Sequence, residues 1–487
     1  MADIVLATVN AKFQHAAFGL RYLFANLGAL QARATIKEWS LGVRERDVVE
    51  QILHCEPRIV ALSVYIWNVD CLTRIAHLIK ALRPDIQIVI GGPEVSHEWQ
   101  DTEIFGLADY LVKGEGDLVL AELCAQLLNE ERPKEKVLIG GLPDLQSLRS
   151  PYPFYSDFDL EHGRIVYVEA SRGCPFKCHF CLSSLDRSVR AFELDTFLQE
   201  METLIERGVL HFKFVDRTFN LKASTSEKIL SFFLERYREG MFLHFEMIPD
   251  RLPDSLKPLI EAFPDGVLQF EVGIQSFDPE VCDRIGRRQN FEALRSNLSF
   301  LATHTGVHVH ADLIAGLPGE SFEGFGKGFD QLWSLGVAEI QVGILKRLRG
   351  TPITLAGPEW GMLYSAQAPY EVLQTAHLSF AELQRLQRFS RYWDITANSG
   401  RFPALLEALL EGESAFWSFL QFSDWLYEKL GSTFGISARK LGAYLAEFLR
   451  DERGVESAQI LLDKDRNRQT RANLPQRQAR HLETRKA

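Results

Sequence analysis

The chain has 487 residues, with 54 Lys and Arg against 65 Asp and Glu, a formal net charge of −11 at pH 7, 46% hydrophobic residues and 24% charged ones. That balance fits a globular protein of two or three domains, and it disfavours a disordered chain or one that coats nucleic acid through bulk positive charge. Seven cysteines, an odd number, and no apolar run near the roughly 18 residues of a membrane span predict a cytoplasmic protein with no membrane span and reduced thiols. The opening M-A-D-I-V-L-A-T reads as a strand, not as a secretory leader.

Residues 3–150 alternate between short apolar runs and helical patterns. Ile4–Val9, Ile59–Val64 and Ile86–Ile90 are the runs, and Leu72–Leu82 is one of the helices. Such alternation predicts a doubly wound parallel sheet covered on both faces, with ligands bound beyond the carboxyl ends of the strands. The residues at those ends are Asn10 to His15, Tyr65 to Asn68, Gly91-Gly92-Pro93-Glu94 and Lys113-Gly114-Glu115-Gly116-Asp117. Glycine pairs there let backbone approach a flat or bulky ligand with no Cβ between. Residues 136–163 are rich in Pro and Asp and read as an extended linker.

Next comes the run S-R-G-C-P-F-K-C-H-F-C, which spaces Cys174, Cys178 and Cys181 as CxxxCxxC. Three thiolates on one short loop suit three irons of a cubane iron-sulfur cluster and leave the fourth iron open for chemistry. Zinc competes, although its sites usually pair cysteines, and Cys55, Cys71, Cys124 and Cys282 are scattered singly. Buried inert thiols are the third reading.

Residues 164–350 alternate again. Strands are predicted at Ile165–Glu169, His211–Val215, Phe242–Glu246, Val267–Val272, Val307–Leu313 and Glu339–Ile344, with helices such as Asp195–Glu206 and Ser226–Arg238. Six units fit an open, partial (β/α)6 barrel better than the eightfold form, which takes about 250 residues. Its strand ends carry Asp216, Glu246, Glu271, Gln275, Arg287, Arg288, Asp312 and Gly316 to Glu320. Residues 351–463 are dominated by helical patterns, with Leu405, Leu409, Phe416, Trp417, Leu420, Trp425, Leu426 and Leu430 as core and a loop-rich stretch around Trp393 and Asn398. The basic tail, 464–487, reads as disordered; a contact to RNA or another polyanion is its sharper reading. The expected domains are therefore 1–135, 164–350 and 351–463, with a linker at 136–163.

The cysteine triplet resembles the cluster motif of the radical S-adenosylmethionine superfamily. The ordered set Ser63, G-G-P and D-Y-L-V-K-G-E-G-D resembles the cobalamin-binding domain of one of its subfamilies, and the helical part resembles a domain attached to an uncharacterised group of those enzymes. The resemblance implies a 4Fe-4S cluster on Cys174, Cys178 and Cys181, with Phe180 packing on the adenine of S-adenosyl-L-methionine. Asp216 to Phe219, Thr218 among them, would receive the methionine ammonium. Glu246 and Glu271 match strand-end motifs. Gln275, Ser276 and Arg287 would hold ribose and carboxylate, and Ile314 to Leu317, including Gly316, would present backbone to the adenine. For cobalamin it implies Ser63, Gly91, Gly92, Pro93, Gly114, Glu115 and Gly116 around the dimethylbenzimidazole tail and corrin edge, with Tyr65, Trp67 and Asn68 near the lower face of cobalt. The D-x-H-x-x-G signature of the cobalt-ligating mutases is missing. His15 is accordingly read as a packed or surface histidine. An empty, degenerate pocket is the alternative for this domain.

What the resemblance implies is a cobalamin-dependent radical enzyme methylating an unactivated carbon: a 5′-deoxyadenosyl radical removes a hydrogen and methylcobalamin delivers the methyl group. A non-methylating rearrangement, cyclisation or oxidation stays open, as does a non-catalytic cobalamin or redox sensor. No general acid or base is required, so no catalytic side chain is assigned. Expected partners are an external one-electron reductant of flavodoxin or ferredoxin type and an unidentified substrate, small-molecule or other.

Overall fold

The computed structural model describes residues 2–355 and 358–468. A strand buried on both faces needs no polar alternation, and β1 (Ile4–Asn10) is buried at every position. It pairs with β2 (Ala34–Ser40) and β3 (Ile59–Ser63), and the sheet continues through β4 (Gln87–Gly91), β5 (Tyr110–Lys113) and β6 (Val137–Ile139). The order is β2-β1-β3-β4-β5-β6 and every pair is parallel. Alternate side chains feed two separate apolar clusters, Val5, Val60 and Ile88 on one face and Ile4, Ile59 and Val89 on the other. Strand order reverses at β1 and β3, where this topology leaves a crevice at the carboxyl ends.

The second sheet runs in sequence order through β7 (Val166–Val168), β8 (His211–Phe214), β9 (Phe242–Met247), β10 (Leu268–Gln275), β11 (His308–Ala315) and β12 (Glu339–Ile344), again all parallel. Phe212, Phe245, Phe270 and Val309 point to the helices and are buried. The alternate residues, among them Lys213, His244, Glu271, His310 and Asp312, line the opposite face. A sheet open between β7 and β12 is the partial barrel expected from the sequence.

Several expectations need correcting. The stretch 136–163 is no extended spacer: β6 joins the first sheet, and the helix Asp157–Glu161 carries a capping box made by Ser156 and Asp159. Arg21 bonds Glu38 and Asp159, each at 2.8 Å, so this segment is fastened to the first domain by buried charge. Trp393 is not in a loop. It ends the helix Phe380–Trp393 and is buried, and a π-helical turn, Asp394–Asn398, follows. The reason lies in packing, since Trp393 meets Phe329 edge-on at 4.8 Å. Asn398 is drawn to the outer edge of β12, where its amide accepts from Ile340 N at 3.2 Å and donates to Ile340 O at 2.9 Å. Trp417 lies at the surface, 39% exposed, rather than in the core.

Helices Pro403–Leu410, Ala415–Leu430 and Ala438–Asp451 complete the C-terminal part. The start of the predicted tail belongs to it as well: residues 464–468 continue a helix begun at 458, and Asp465 is 1% exposed. Its carboxylate accepts from Ala404 N at 3.0 Å and Leu405 N at 3.1 Å. It thus caps the helix Pro403–Leu410, whose own preceding residue, Phe402, has no oxygen to offer. The rest of the tail, 469–487, lies outside the described residues. Among the described residues no helix is long and apolar enough to cross a membrane. Asp465→Ala should cost about 1–2 kcal/mol in chemical denaturation, with Asp465→Asn retaining part of it; two curves overlaying wild type would mean the cap contributes nothing.

Candidate functional site

A cavity of about 310 Å³ opens beyond the carboxyl ends of β3, β4 and β5. On its wall stand Ser63, Tyr65, Gly91, Gly92, Gly114, Glu115 and Gly116, together with Tyr22, Glu169 and Arg172, which the sequence reading missed. Leu20, Val112 and Leu120 make the rest largely apolar. Gly92 has φ +112°, and a Cβ there would lie 2.5 Å from Val64 O, so the glycine is demanded by backbone meeting backbone, before any ligand is considered. Trp67, Asn68 and Pro93 do not line this cavity. Asn68 is fully buried and holds the turn itself: its Oδ1 accepts from Tyr65 N at 2.8 Å, and its Nδ2 donates to Thr8 Oγ1 at 3.1 Å and Val9 O at 3.0 Å. Trp67 stacks on Tyr65 at 4.4 Å and leaves the Tyr65 ring as the one facing the cavity. His15 is packed, with Nδ1 2.6 Å from the Tyr167 hydroxyl.

A second pocket, about 180 Å³, is lined by Cys174, Cys178 and Cys181 with Phe180, Thr218, Glu246, Glu271, Gln275 and Arg287. Strand parity brings Glu246, Glu271 and Gln275 to the same concave face. The β10–β11 register shifts between Gly273 and Gln275, and Gln275 has φ +73°, a conformation costly for a side chain with a Cβ. The Gln275 Oε1 atom is buried with no hydrogen-bond partner among the described residues. Arg287 donates to Gly273 O and stands 3.6 Å from Cys178 Sγ, opposing the burial that pushes this thiol up. Glu246 pairs with Arg217 at 2.8 Å, while burial raises its carboxyl. Burial acts upward on Glu271 too, but His244 at 3.1 Å and Lys213 at 3.9 Å outweigh it and hold the group down to about 2. A carboxylate ionised throughout the neutral range therefore faces the cysteines.

Five expected residues do not reach this wall. Asp216 is turned back, accepting from Ala170 N at 2.9 Å and Ser171 Oγ at 2.6 Å, and burial pushes it up to about 6. Ser276 donates to Glu320 at 2.5 Å. A Cβ on Gly316 would lie 2.5 Å from Val372 Cγ1, and Leu317 is in the core. Ile314 faces a neighbouring, larger cavity.

Arg172 connects the two pockets. It stands on the wall of the first cavity, two residues before Cys174, and its guanidinium bonds Glu169 at 2.9 Å, Glu115 at 2.9 Å and Asp117 at 3.0 Å. Burial drives Glu169 up to about 7 even so, because one cation is shared among three acids. Lower on the concave face, His310 sits 3.2 Å from both Asp312 and Glu339. Burial opposes its charge, but the two carboxylates raise it to about 10, and His308 and His310 hold Glu339 down to about 2 against burial.

Three family models match consecutive segments: the B12 binding domain over 4–124, the Radical SAM superfamily over 168–332 and a protein of unknown function (DUF4080) over 358–471. The chain is 27% identical over 316 residues to the cobalamin-dependent radical SAM methyltransferase TokK of Streptomyces tokunonensis, covering 58% of this chain and 45% of that protein. It is 26% identical over 342 residues to the 2-(S-pantetheinyl)-carbapenam-3-carboxylate methyltransferase of Streptantibioticus cattleyicolor, covering 62% and 49%. It thus spans about half the length of these relatives. In fold it is similar to the radical S-adenosylmethionine methyltransferase TsrM of Kitasatospora setae with cobalamin and an iron-sulfur cluster bound, at TM-score 0.58 and 19% identity, covering 88% of this chain and 99% of that one.

These domains imply an iron-sulfur cluster, S-adenosylmethionine and cobalamin, and the residues present fit them. The three thiols share one wall without converging: among the described residues no three His, Cys, Asp or Glu side chains are grouped to hold a single metal ion. The tetrahedral ligands of zinc would have to converge, whereas thiolates of a cubane bind separate irons. The unbonded Gln275 Oε1 and the apolar slot bounded by glycines suit a nucleoside and a flat macrocycle edge respectively.

Because His310 is raised from 6.5 to about 10, its contribution to stability is complete below pH 6.5 and lost as pH rises through about 10; that of Glu271 and Glu339, lowered from 4.5 to about 2, is complete above pH 4.5 and lost as pH falls through about 2. His310→Gln should cost roughly 3 kcal/mol at pH 6 and flatten the alkaline limb, as read by denaturation across pH. An unchanged alkaline limb would show that another group governs it.

Proposed function

We propose that this chain, a radical SAM superfamily member that also carries a B12 binding domain, is a cobalamin-dependent methyltransferase acting on an unactivated carbon. The observation that carries this reading is Arg172, whose one side chain ties the wall of the glycine-lined cavity to the strand that leads into the cysteines. When bound, the cluster with S-adenosylmethionine supplies a 5′-deoxyadenosyl radical, and cobalamin a transferable methyl group. The protein's task is to hold, orient and exclude water. Cys174, Cys178 and Cys181 are the cluster ligands. Glu271, ionised at neutral pH, suits an ammonium, and Arg287 suits a carboxylate. Gln275 offers its unbonded amide oxygen at the place where Phe180 closes the pocket. Ser63, Tyr65 and the glycines at 91, 114 and 116 form the cobalamin slot. An external one-electron reductant completes the scheme. The named activity of the two methyltransferase relatives supports methyl transfer over rearrangement.

Anaerobically reconstituted protein should carry a 4Fe-4S cluster and bind cobalamin. On reduction with S-adenosylmethionine it should release 5′-deoxyadenosine, and changing Cys174, Cys178 and Cys181 together to Ala should abolish both the iron and this product. Glu271→Gln should weaken S-adenosylmethionine binding by roughly 1.5–3 kcal/mol. Full iron content in the triple variant would overturn the cluster assignment, and unaltered affinity in Glu271→Gln would remove that residue from the site.

A further inference from the structure

A larger cavity, about 930 Å³, lies between β12 and the helix Phe380–Trp393. Its size is that of a small-molecule site. Phe180, Gln275 and Asp312 line it at one end and line the cysteine pocket as well, so a molecule seated here reaches that pocket without passing through protein. The other end belongs to the C-terminal helices.

The charges on this wall differ from the buried arginines elsewhere: Lys12 and Lys346 stand exposed at its rim and Arg388 is partly buried. Arg21, Arg164, Arg172 and Arg349 each have a carboxylate oxygen within 2.9 Å. Around this cavity the cations are left over. Among the described residues Lys12 and Lys346 have no ion-pair partner, and Arg388 makes neither a hydrogen bond nor an ion pair. Arg388 instead lies over the Tyr427 ring at 4.3 Å, with its Nε buried and unbonded. Of the acids on the same wall, Asp312 pairs with His310 at 3.2 Å and Asp394 with Arg391 at 2.9 Å, while Glu371 accepts from the neutral Gln387 amide at 3.2 Å and has no ion-pair partner among the described residues. In a chain of net charge −11, three cations without an ion-pair partner against one such acid leave this concave wall with a positive excess that suits an anion from outside.

Resting on the reading of the cysteine pocket given above, we infer that this cavity is the substrate cleft and that it takes a molecule bearing a carboxylate or phosphate group. Lys12, Lys346 and Arg388 hold the anion, and the opposite end of the molecule reaches Phe180 and Gln275. A guanidinium with free donors suits either oxyanion. The C-terminal domain thereby contributes to substrate selection through Arg388, alongside Lys12 of the first domain and Lys346 at the end of the barrel.

Calorimetric titration of the reconstituted holoenzyme with inorganic phosphate and, separately, with succinate tests this. At least one should bind saturably, more weakly as salt is raised, and at least tenfold more weakly to Lys346→Gln and Arg388→Gln proteins of wild-type iron content. Lys346 is exposed, so its variant separates recognition from folding. Tighter binding of phosphate points to a phosphorylated substrate, and tighter binding of succinate to a carboxylated one. No saturable binding of either, or equal affinity in both variants, overturns the inference. If wild-type holoenzyme forms no 5′-deoxyadenosine, the underlying reading fails whatever the anions do; if it forms the product but binds no anion, this inference alone falls.

Discussion

A guanidinium as deeply placed as Arg172 has to be matched by carboxylates, because an uncompensated charge at that depth costs several kcal/mol. Its partners come from two domains, Glu115 and Asp117 from the turn after β5 and Glu169 from the strand before the cysteines. Arg190 reaches Glu115 from the other side. Neither pocket can shift without breaking directional bonds. The apolar clusters of the first sheet are separate from that of the barrel and helical part, so ion pairs act together with ring contacts such as Phe18 on Tyr152 and Tyr22 on Phe192 to fix their mutual orientation. A second buried set repeats the device, Arg21 and Arg164 alternating with Glu38 and Asp159 at 2.8–2.9 Å. A third, Glu94 with Arg349 at 2.8 Å and the Tyr370 hydroxyl at 2.7 Å, joins the turn after β4 to the loops beyond β12.

The concave face of the barrel follows a different logic from its outer face. Six strands do not close, so the inner side chains cannot be packed into apolar layers as in an eightfold barrel. They are polar and pair with one another by charge: Lys213, His244 and Glu271 form one cluster, and His308, His310, Asp312 and Glu339 another. The open edge of β12 is a liability of another kind, a row of unpaired backbone groups. The Asn398 amide occupies part of it by pairing with both polar atoms of Ile340, as a neighbouring strand would.

Much of this was legible in the chain. Apolar runs such as I-V-L-A-T-V became strands because burial on both faces leaves a continuous signal, and the cysteine loop announced itself by spacing. β2 was missed: A-T-I-K-E-W-S is half-buried throughout and carries no such run. Strand-end position located Asp216 and Glu271 alike, yet Glu271 alternates onto the concave face while Asp216, beyond the end of β8, is captured by Ala170 N and Ser171 Oγ. Proximity in sequence to a site says nothing about where the last torsion angle points. Asn68 teaches the same lesson, its amide consumed by the turn it belongs to. Arg172 was visible within S-R-G-C, but its role depends on Glu115 and Asp117, more than 50 residues earlier, and no local pattern carries that.

The cap that Asp465 places on the helix Pro403–Leu410 spans 61 residues. On the ribosome, that helix therefore emerges with its first amides unanswered and cannot settle until residue 465 is free to fold back. The glycine-lined cavity and the cysteine pocket are built from earlier residues, so the chain's order of appearance sets a sequence of assembly in which the helical part comes last.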